Sequence, residues 1–353
     1  MKADWGKMHM INAAVVGYGY SGKAFHSYLI GLAEGMRLYA ISARDPERQK
    51  RASADHPEAR IYGDFDQVLS DDQVHLVVLA TPHNTHRDLA IRAMDAGKHV
   101  VTDKVMCMNA REAEEMIAAS KRNRVMLSVF HNRRWDWDYL TVKKVIEDEL
   151  LGRPYLFEAA ILHYGRPRGW RAVKAQSGGI LYDWPAHFVD QALQLVPAEA
   201  ESVFCVARYR DTWPTDIGNY VKLLICFAND VLYQIEIANL AAIDKPRWYV
   251  LGDQGALIKY GLDPQEGPMN AGDIDAAEED PANRARVRTM ALGHMEERVV
   301  ESVKGTWKSY YQNISDVLNR GAELVVKPEQ VHKAMRVFDA AMRSAEIGQV
   351  VRV

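Results

Sequence analysis

Gly17-Tyr18-Gly19-Tyr20-Ser21-Gly22 follows directly on the apolar run Ala13-Ala14-Val15-Val16, and this juncture constrains the fold more than any other feature of the chain. A buried strand that ends in GxGxxG and continues into a helix gives each glycine its own task. One makes a tight turn, one lets a pyrophosphate approach the backbone, and one packs the helix closely on the strand. The helix N-terminus then receives the phosphates. The loop therefore predicts a dinucleotide ligand, faced by Gly17, Gly19, Tyr20, Ser21 and Gly22.

Alternation of strand and helix continues from there. A helix is expected from Gly22 to Leu32, then strands over Arg37 to Ser42 and His75 to Ala80, both apolar runs bounded by turn residues. Asn84-Thr85-His86 opens an amphipathic helix that ends at Gly97, and His99 to Thr102 is the next strand. Asn109 caps a helix to about Lys121, with Glu112 as its capping-box partner, and Val125 to Phe130 forms a further strand. Such alternation implies a parallel sheet with right-handed crossovers.

Beyond about residue 150 the pattern changes. Pro154 to Tyr164, Ser202 to Tyr209, Tyr220 to Phe227 and Val231 to Asn239 are partly alternating runs rich in β-branched and aromatic residues. Asn229-Asp230 and Gly252 to Gly255 serve as turns. Leu262 to Asn283, with Asp275, Glu278, Glu279 and Asp280, reads as a solvated loop, and helices over Ser309 to Asn319 and Pro328 to Ile347 close the chain. The expected fold class is α/β: an N-terminal Rossmann domain over residues 1–131, and over 132–353 an α+β domain with a large, mainly antiparallel open sheet. The last helix is free to pack back on the first domain. Such a sheet often buries its second face against a partner subunit, so a homo-oligomer, dimer or tetramer, is expected.

At 353 residues the chain exceeds what one core usually supports. Its net charge of −3 offers no field for nucleic acid or anionic lipid. Three scattered cysteines form neither a disulfide framework nor a metal motif, which fits a reducing compartment. Met1 to Met10 lacks the apolar core of a secretory signal, and no run of about 18 apolar residues could span a membrane. A cytoplasmic enzyme without metal is the expectation.

Three places bear on chemistry. At the end of the second strand, where an acid would bind a ribose 2′-hydroxyl, stands Ser42, followed by Ala43 and Arg44. A small polar residue with a guanidinium suits a 2′-phosphate, which favours NADP over NAD, with Asp45 as the rival ribose ligand. Asp103-Lys104 follows a strand at the carboxyl edge of the sheet, where a lysine can stabilise negative charge on a substrate oxygen; alone it would be a surface residue. In Gly178-Gly179-Ile180-Leu181-Tyr182-Asp183-Trp184-Pro185-Ala186-His187 a loop becomes a helix. Asp183 near the cap and His187 four residues on share a helical face, a pairing suited to general acid-base work. An N-cap and a half-buried packing histidine would have the same spacing.

In this order GYGYSG with Lys23 to His26, Ala80-Thr81-Pro82-His83-Asn84-Thr85-His86, Gly97 to Lys104 and the Gly-Gly to Asp to His segment resemble the Gfo/Idh/MocA oxidoreductases. Phe130 to Asp136 and Thr141 to Lys144 look like the subgroup of scyllo-inositol dehydrogenase-like proteins, and the likeness spans residues 11 to 350. The resemblance implies a catalytic set of Lys104, Asp183 and His187. Thr81, Pro82 and Asn84 would line the nicotinamide side, with Asp103 and Asn132 nearby, and Trp170-Arg171 would reach the cofactor. Arg166 and Tyr182 would join the substrate pocket. The chain departs from the family's Glu-Lys-Pro at Asp103-Lys104-Val105. It also places the bulky Trp184-Pro185 where small residues are usual, which either narrows the substrate space or stacks on a sugar ring.

These readings imply hydride transfer between NADP or NAD and a secondary alcohol of a sugar, inositol or related polyol. His187 would take the hydroxyl proton, Lys104 would steady the alkoxide, and Asp183 would orient His187 or a substrate hydroxyl. Two rivals are a redox-assisted glycosidase or lyase with a tightly held cofactor, and a non-catalytic dinucleotide-sensing regulator such as the family's fungal galactose co-repressor.

Overall fold

Ile11–Val16 holds mostly small and branched apolar side chains, and in the computed structural model it is strand β1, buried along its whole length. The structure describes residues 9–291 and 293–353; the first eight residues of the stretch expected to lack a leader lie outside them. The chain divides into two compact units. One takes the chain up to Asn132 together with Trp307–His332, the other Arg133–Thr306 together with Lys333–Val353.

In the first unit β1 leads into a π-helical turn, Ser21–Ser27, and α1, Tyr28–Leu32. This replaces the single α-helix expected from Gly22 to Leu32. The Ser27 hydroxyl donates to the Gly22 carbonyl five residues back at 2.7 Å, engaging the wider turn through a side chain. There follow β2 (Met36–Ser42), α2 (Pro46–Asp55), β3 (Arg60–Tyr62), α3 (Phe65–Ser70), β4 (Leu76–Leu79), α4 (His86–Asp95), β5 (His99–Thr102), α5 (Ala110–Asn123) and β6 (Leu127–Val129). All pairings are parallel, in the order β3-β2-β1-β4-β5-β6. The edge strand β3 escaped the sequence reading because its three residues are too few to show a period. Asn109 caps α5 by accepting from the Glu112 N–H at 2.9 Å, while the Glu112 carboxylate reaches the Met108 N–H rather than that of the cap.

Trp307 and the helix Lys308–Arg320 also belong to this unit. Trp307 stacks on Phe25 at 5.5 Å, and the Tyr310 hydroxyl donates to Ser128, whose own hydroxyl donates to the Val326 carbonyl.

The second unit opens with α6 (Trp137–Glu147), β7 (Pro154–Leu162), α7 (Lys174–Ser177) and α8 (Pro185–Leu195). Then come β8 (Ala200–Arg208), β9 (Tyr220–Phe227), β10 (Leu232–Ala238), β11 (Trp248–Gly252), β12 (Gly255–Lys259), α9 (Glu266–Asn270), β13 (Ala285–Ala291) and β14 (His294–Val300). The Lys308–Arg320 helix is α10. Helix α11 (Pro328–Ile347) runs from the first unit's residues into the second's, and β15 (Val351–Arg352) ends the chain. Among the described residues the nine strands run β14-β13-β12-β11-β7-β10-β9-β8-β15, with only the β10-β7 pair parallel. One face is core, with Phe157, Tyr233, Ile235 and Trp248 buried; on the other Phe204 and Leu232 are exposed.

Two expectations are corrected here. Leu262 to Asn283 is not simply a solvated loop: it contains α9, and Met269, Ile274 and Ala277 are buried. Glu279 pairs with Lys259, whose ammonium points into the unit and needs a counter-charge. The hairpin β13-β14 went unread because charges dominate its alternation; Arg288 and Glu297 face each other across it. Among the described residues no helix is long and apolar enough to cross a membrane.

Candidate active site

The sheet of the first unit reverses its strand order between β1 and β4, where ligands of open α/β sheets bind at the carboxyl ends. Gly17 stands at that point with φ +99°, and a Cβ there would collide with the Ala80 carbonyl. A Cβ on Gly22 would strike the Gly17 carbonyl, so this glycine packs helix against strand. A Cβ on Gly19 would meet no backbone, only a guanidinium nitrogen of Arg48 at 3.9 Å. Close main-chain approach thus requires glycine at 17 and at 22, and the loop leaves room at 19. Arg48 was not singled out in the sequence.

At the end of β2, Ser42 is buried and its carbonyl accepts from the Gly17 N–H at 2.8 Å; Arg44 is exposed. Asp45 caps α2 by accepting from the Glu47 N–H at 3.0 Å, and it lies 3.6 Å from Arg48. The cap uses one carboxylate oxygen, and the side chain stays exposed beside the basic residues Arg44 and Arg48.

Asp103 follows β5 and is buried. Its Oδ1 accepts from the Lys104 N–H at 2.7 Å, the Ser21 hydroxyl donates to the carboxylate, and Oδ2 lies 3.7 Å from His26 Nε2. Burial opposes its ionisation, but His26, Ser21 and Lys104 together outweigh that and hold the carboxyl well below the ordinary range. The Lys104–Val105 peptide is cis. His86, fully buried, sits with Nδ1 2.8 Å from the Val105 carbonyl and Nε2 3.0 Å from that of Thr81, joining the lysine turn to the Thr81-Pro82 loop. Burial pushes its imidazole below the usual range, towards the neutral form. The Thr81 and Thr85 hydroxyls lie 2.7 Å apart, and Asn84 is exposed. Asn132 is buried, and its Nδ2 has no hydrogen-bond partner among the described residues, as expected of a donor kept for a ligand such as a carboxamide.

In the second unit Asp183 stands one residue before the cap of α8, not on the helical face shared with His187 that its spacing suggested. Helix α8 begins at Pro185 with Trp184 as its N-cap residue, because proline's fixed φ suits the first helical position. Asp183 ends the preceding 3-10 turn, Ile180–Tyr182, so the helical i to i+4 relation to His187 does not apply. His187 lies in the first turn of α8 and is buried. One face of the Trp184 indole is covered by the Arg133 guanidinium at 4.5 Å. Behind His187 the helix is held by charge. Arg134 makes a two-pronged pair with Asp190 at 2.8 and 2.6 Å. Gln191 donates to the Arg133 carbonyl, and Arg247, on Asp138 at 2.9 Å, reaches Gln191 and lies 4.0 Å over Phe188. None of these arginines was singled out in the sequence. The Arg171 guanidinium lies 4.6 Å over Trp170, and Arg166 is exposed. Tyr182 is fully buried, edge-on to Phe338 at 5.3 Å, which places it in the core of the unit.

Comparison with known proteins agrees with this geometry. Residues 11–131 match the model of the oxidoreductase family with an NAD-binding Rossmann fold, and residues 139–258 match the GFO/IDH/MocA C-terminal domain. The chain is 34% identical over 344 residues to the uncharacterized oxidoreductase YdgJ of Escherichia coli, covering 95% of this chain and 96% of that one. It is 30% identical over 349 residues to scyllo-inositol 2-dehydrogenase (NADP(+)) IolW of Bacillus subtilis, covering 96% and 95%. The solved oxidoreductase yvaA of Bacillus subtilis superposes with a TM-score of 0.91 at 27% identity over 98% of this chain and 99% of that one. A parallel sheet with a glycine cradle at its reversal point, joined in one chain to a mainly antiparallel sheet, is thus matched along nearly its whole length, and the chain belongs to the Gfo/Idh/MocA family of oxidoreductases.

Proposed function

We propose that the protein is an NADP-dependent dehydrogenase of an inositol or related polyol or sugar. The observation that carries the cofactor preference is the end of β2: Ser42 and Arg44 stand where an acid would select NAD. Arg44 and Arg48 would take the 2′-phosphate. Thr81, Pro82, Asn84, Asp103 and Asn132 would line the nicotinamide side, and Trp170-Arg171 would add contacts from the second unit's sequence. The likeness to IolW, a scyllo-inositol 2-dehydrogenase (NADP(+)), supports the substrate class.

Bound NADP⁺ would supply the hydride acceptor at its nicotinamide C4. His187 accepts the proton of the substrate hydroxyl, the Lys104 ammonium stabilises the negative charge that appears on that oxygen, and Asp183 orients the imidazole or a neighbouring hydroxyl. Products are a ketone and NADPH; reduction reverses each step. Arg166 is the further substrate contact, whereas the core position of Tyr182 makes it a wall of the pocket at most. The half-exposed face of the second sheet is the surface a second copy would cover.

Fluorescence titration with NADPH and NADH, followed by rates on inositols, aldoses and polyols, tests this reading. NADPH should bind at least about tenfold tighter, and Arg44→Ala should remove most of that difference while leaving NADH unchanged. A preference for NADH, or the absence of turnover on every such substrate, would overturn it.

A further inference from the structure

Ser21 and His26 are five residues apart. In an α-helix Ser21 would share its face with Ala24 and Phe25. The π-helical turn Ser21–Ser27, with its i to i+5 spacing, instead turns both Ser21 and His26 towards Asp103. His26 is fully buried, its ring tilted on Phe130 at 4.5 Å, with Nδ1 2.7 Å from the Tyr311 hydroxyl and Nε2 without a hydrogen-bond partner among the described residues. Nε2 faces Asp103 Oδ2 at 3.7 Å.

A carboxylate only accepts, so the ring nitrogen facing Asp103 carries the hydrogen. The 2.7 Å contact between Nδ1 and the Tyr311 hydroxyl takes its direction from the form of the ring: the hydroxyl donates to a bare Nδ1 and accepts from a protonated one. Burial holds that phenol protonated, well above the usual range. The other oxygen of Asp103 accepts from the Lys104 backbone N–H. A line of polarised groups therefore runs from Tyr311 through His26 and Asp103 to the backbone of Lys104, with Ser21 of the glycine loop bound to the same carboxylate.

We propose that His26, oriented by Tyr311, is a positioning residue that acts through Asp103 to hold the Lys104 backbone, and so its ammonium, in register with the glycine loop. This rests on the reading of Lys104 as the group that stabilises the alkoxide. His26 touches neither substrate nor cofactor in this role. It removes a freedom of the Asp103 carboxylate, and small displacements of a charge-stabilising group have large effects on rate.

The test uses the full chain with His26→Phe, which fills the site but donates nothing, His26→Gln, which keeps an N–H, and Tyr311→Phe. Turnover is read with NADP and the best polyol found. Hydrogen exchange of the Lys104 amide is read by mass spectrometry without substrate. H26F should lower kcat about 10- to 100-fold with NADPH affinity within about threefold, and speed the Lys104 amide about tenfold. H26Q should stay within about threefold of the wild type on both readouts. Y311F should fall between them and add nothing in the H26F background. Equal behaviour of H26F and H26Q, or a Lys104 amide unmoved in folded H26F, overturns the inference. If H26F does not fold, an unchanged Lys104 amide in Y311F overturns it. A wild type without turnover whose variants still show the exchange pattern would sink the dehydrogenase reading and leave this one standing.

Discussion

The glycine edge of the first unit and helix α8 of the second are held by different means. At the glycine edge the ligand-facing groups are largely backbone. Gly17 and Gly22 are dictated by close approach of main chain to main chain, and successive strand ends hand hydrogen bonds across the edge, Gly17 to Ser42, Ala80 to Val16 and Asp103 to Leu79. Helix α8 is fixed by buried side chains from distant parts of its unit: Arg134 on Asp190, Arg133 on Trp184, and Arg247 between Asp138 and Gln191. A site made from main chain tolerates change in side chains but not in glycines. A site backed by buried charge depends on every partner being present, because a lone buried ion is strongly unfavourable.

The largest effect tests whether both regions serve one reaction. Lys104→Ala and His187→Ala should each lower kcat by roughly 10²- to 10⁴-fold with stability little changed. If steady-state rates show both variants at wild-type turnover, the assignment of either region to chemistry is broken. Next is the charge backing of α8. Arg134→Met strands Asp190 and should cost about 3–5 kcal/mol in urea unfolding, most of it recovered when Asp190→Leu is added. A loss below about 1 kcal/mol would mean that α8 is held by apolar packing, and the contrast between the two regions would fail.

The smallest effect concerns two buried acids with opposite tendencies. Burial and the Asp138 charge push the Asp263 carboxyl up to about 6, against the donors of Trp137 and Gln265, whereas Asp103 in the first unit is held well below the ordinary range. A raised carboxyl binds its proton more tightly when folded. Its contribution to stability is therefore complete below its unfolded value near pH 4 and is lost as pH rises through about 6. Wild type minus Asp263→Asn, compared by unfolding at pH 4 and pH 7, should decline by roughly 1–3 kcal/mol. A flat difference would sharpen the comparison by showing that only the first unit tunes its buried acids.

Much of the architecture was legible from local pattern. The bounds of β5, β9 and α11 coincide with their sequence readings, since apolar runs and caps report elements whose cause lies within a few residues. Strand β3, the β13-β14 hairpin and the buried core of 262–283 were not legible: three residues show no period, charged alternation hides a strand, and the Lys259–Glu279 pair joins positions twenty apart. At the candidate site, spacing alone placed Asp183 on the helix of His187, and the proline at 185 moved the helix start past it.

Sequence alone determined that a nucleotide cradle lies at the end of β1, because glycine is the only residue whose missing Cβ permits that turn, and a six-residue pattern records it. It also determined where Lys104 falls along the sheet edge. Tertiary structure decided that Asp45 caps its helix, that a π-helical turn brings Ser21 and His26 to one carboxylate, and that buried charges brace α8. Those outcomes depend on which distant groups meet out of water, where a charge or donor must find a partner, and the spacing of residues along the chain does not encode that choice.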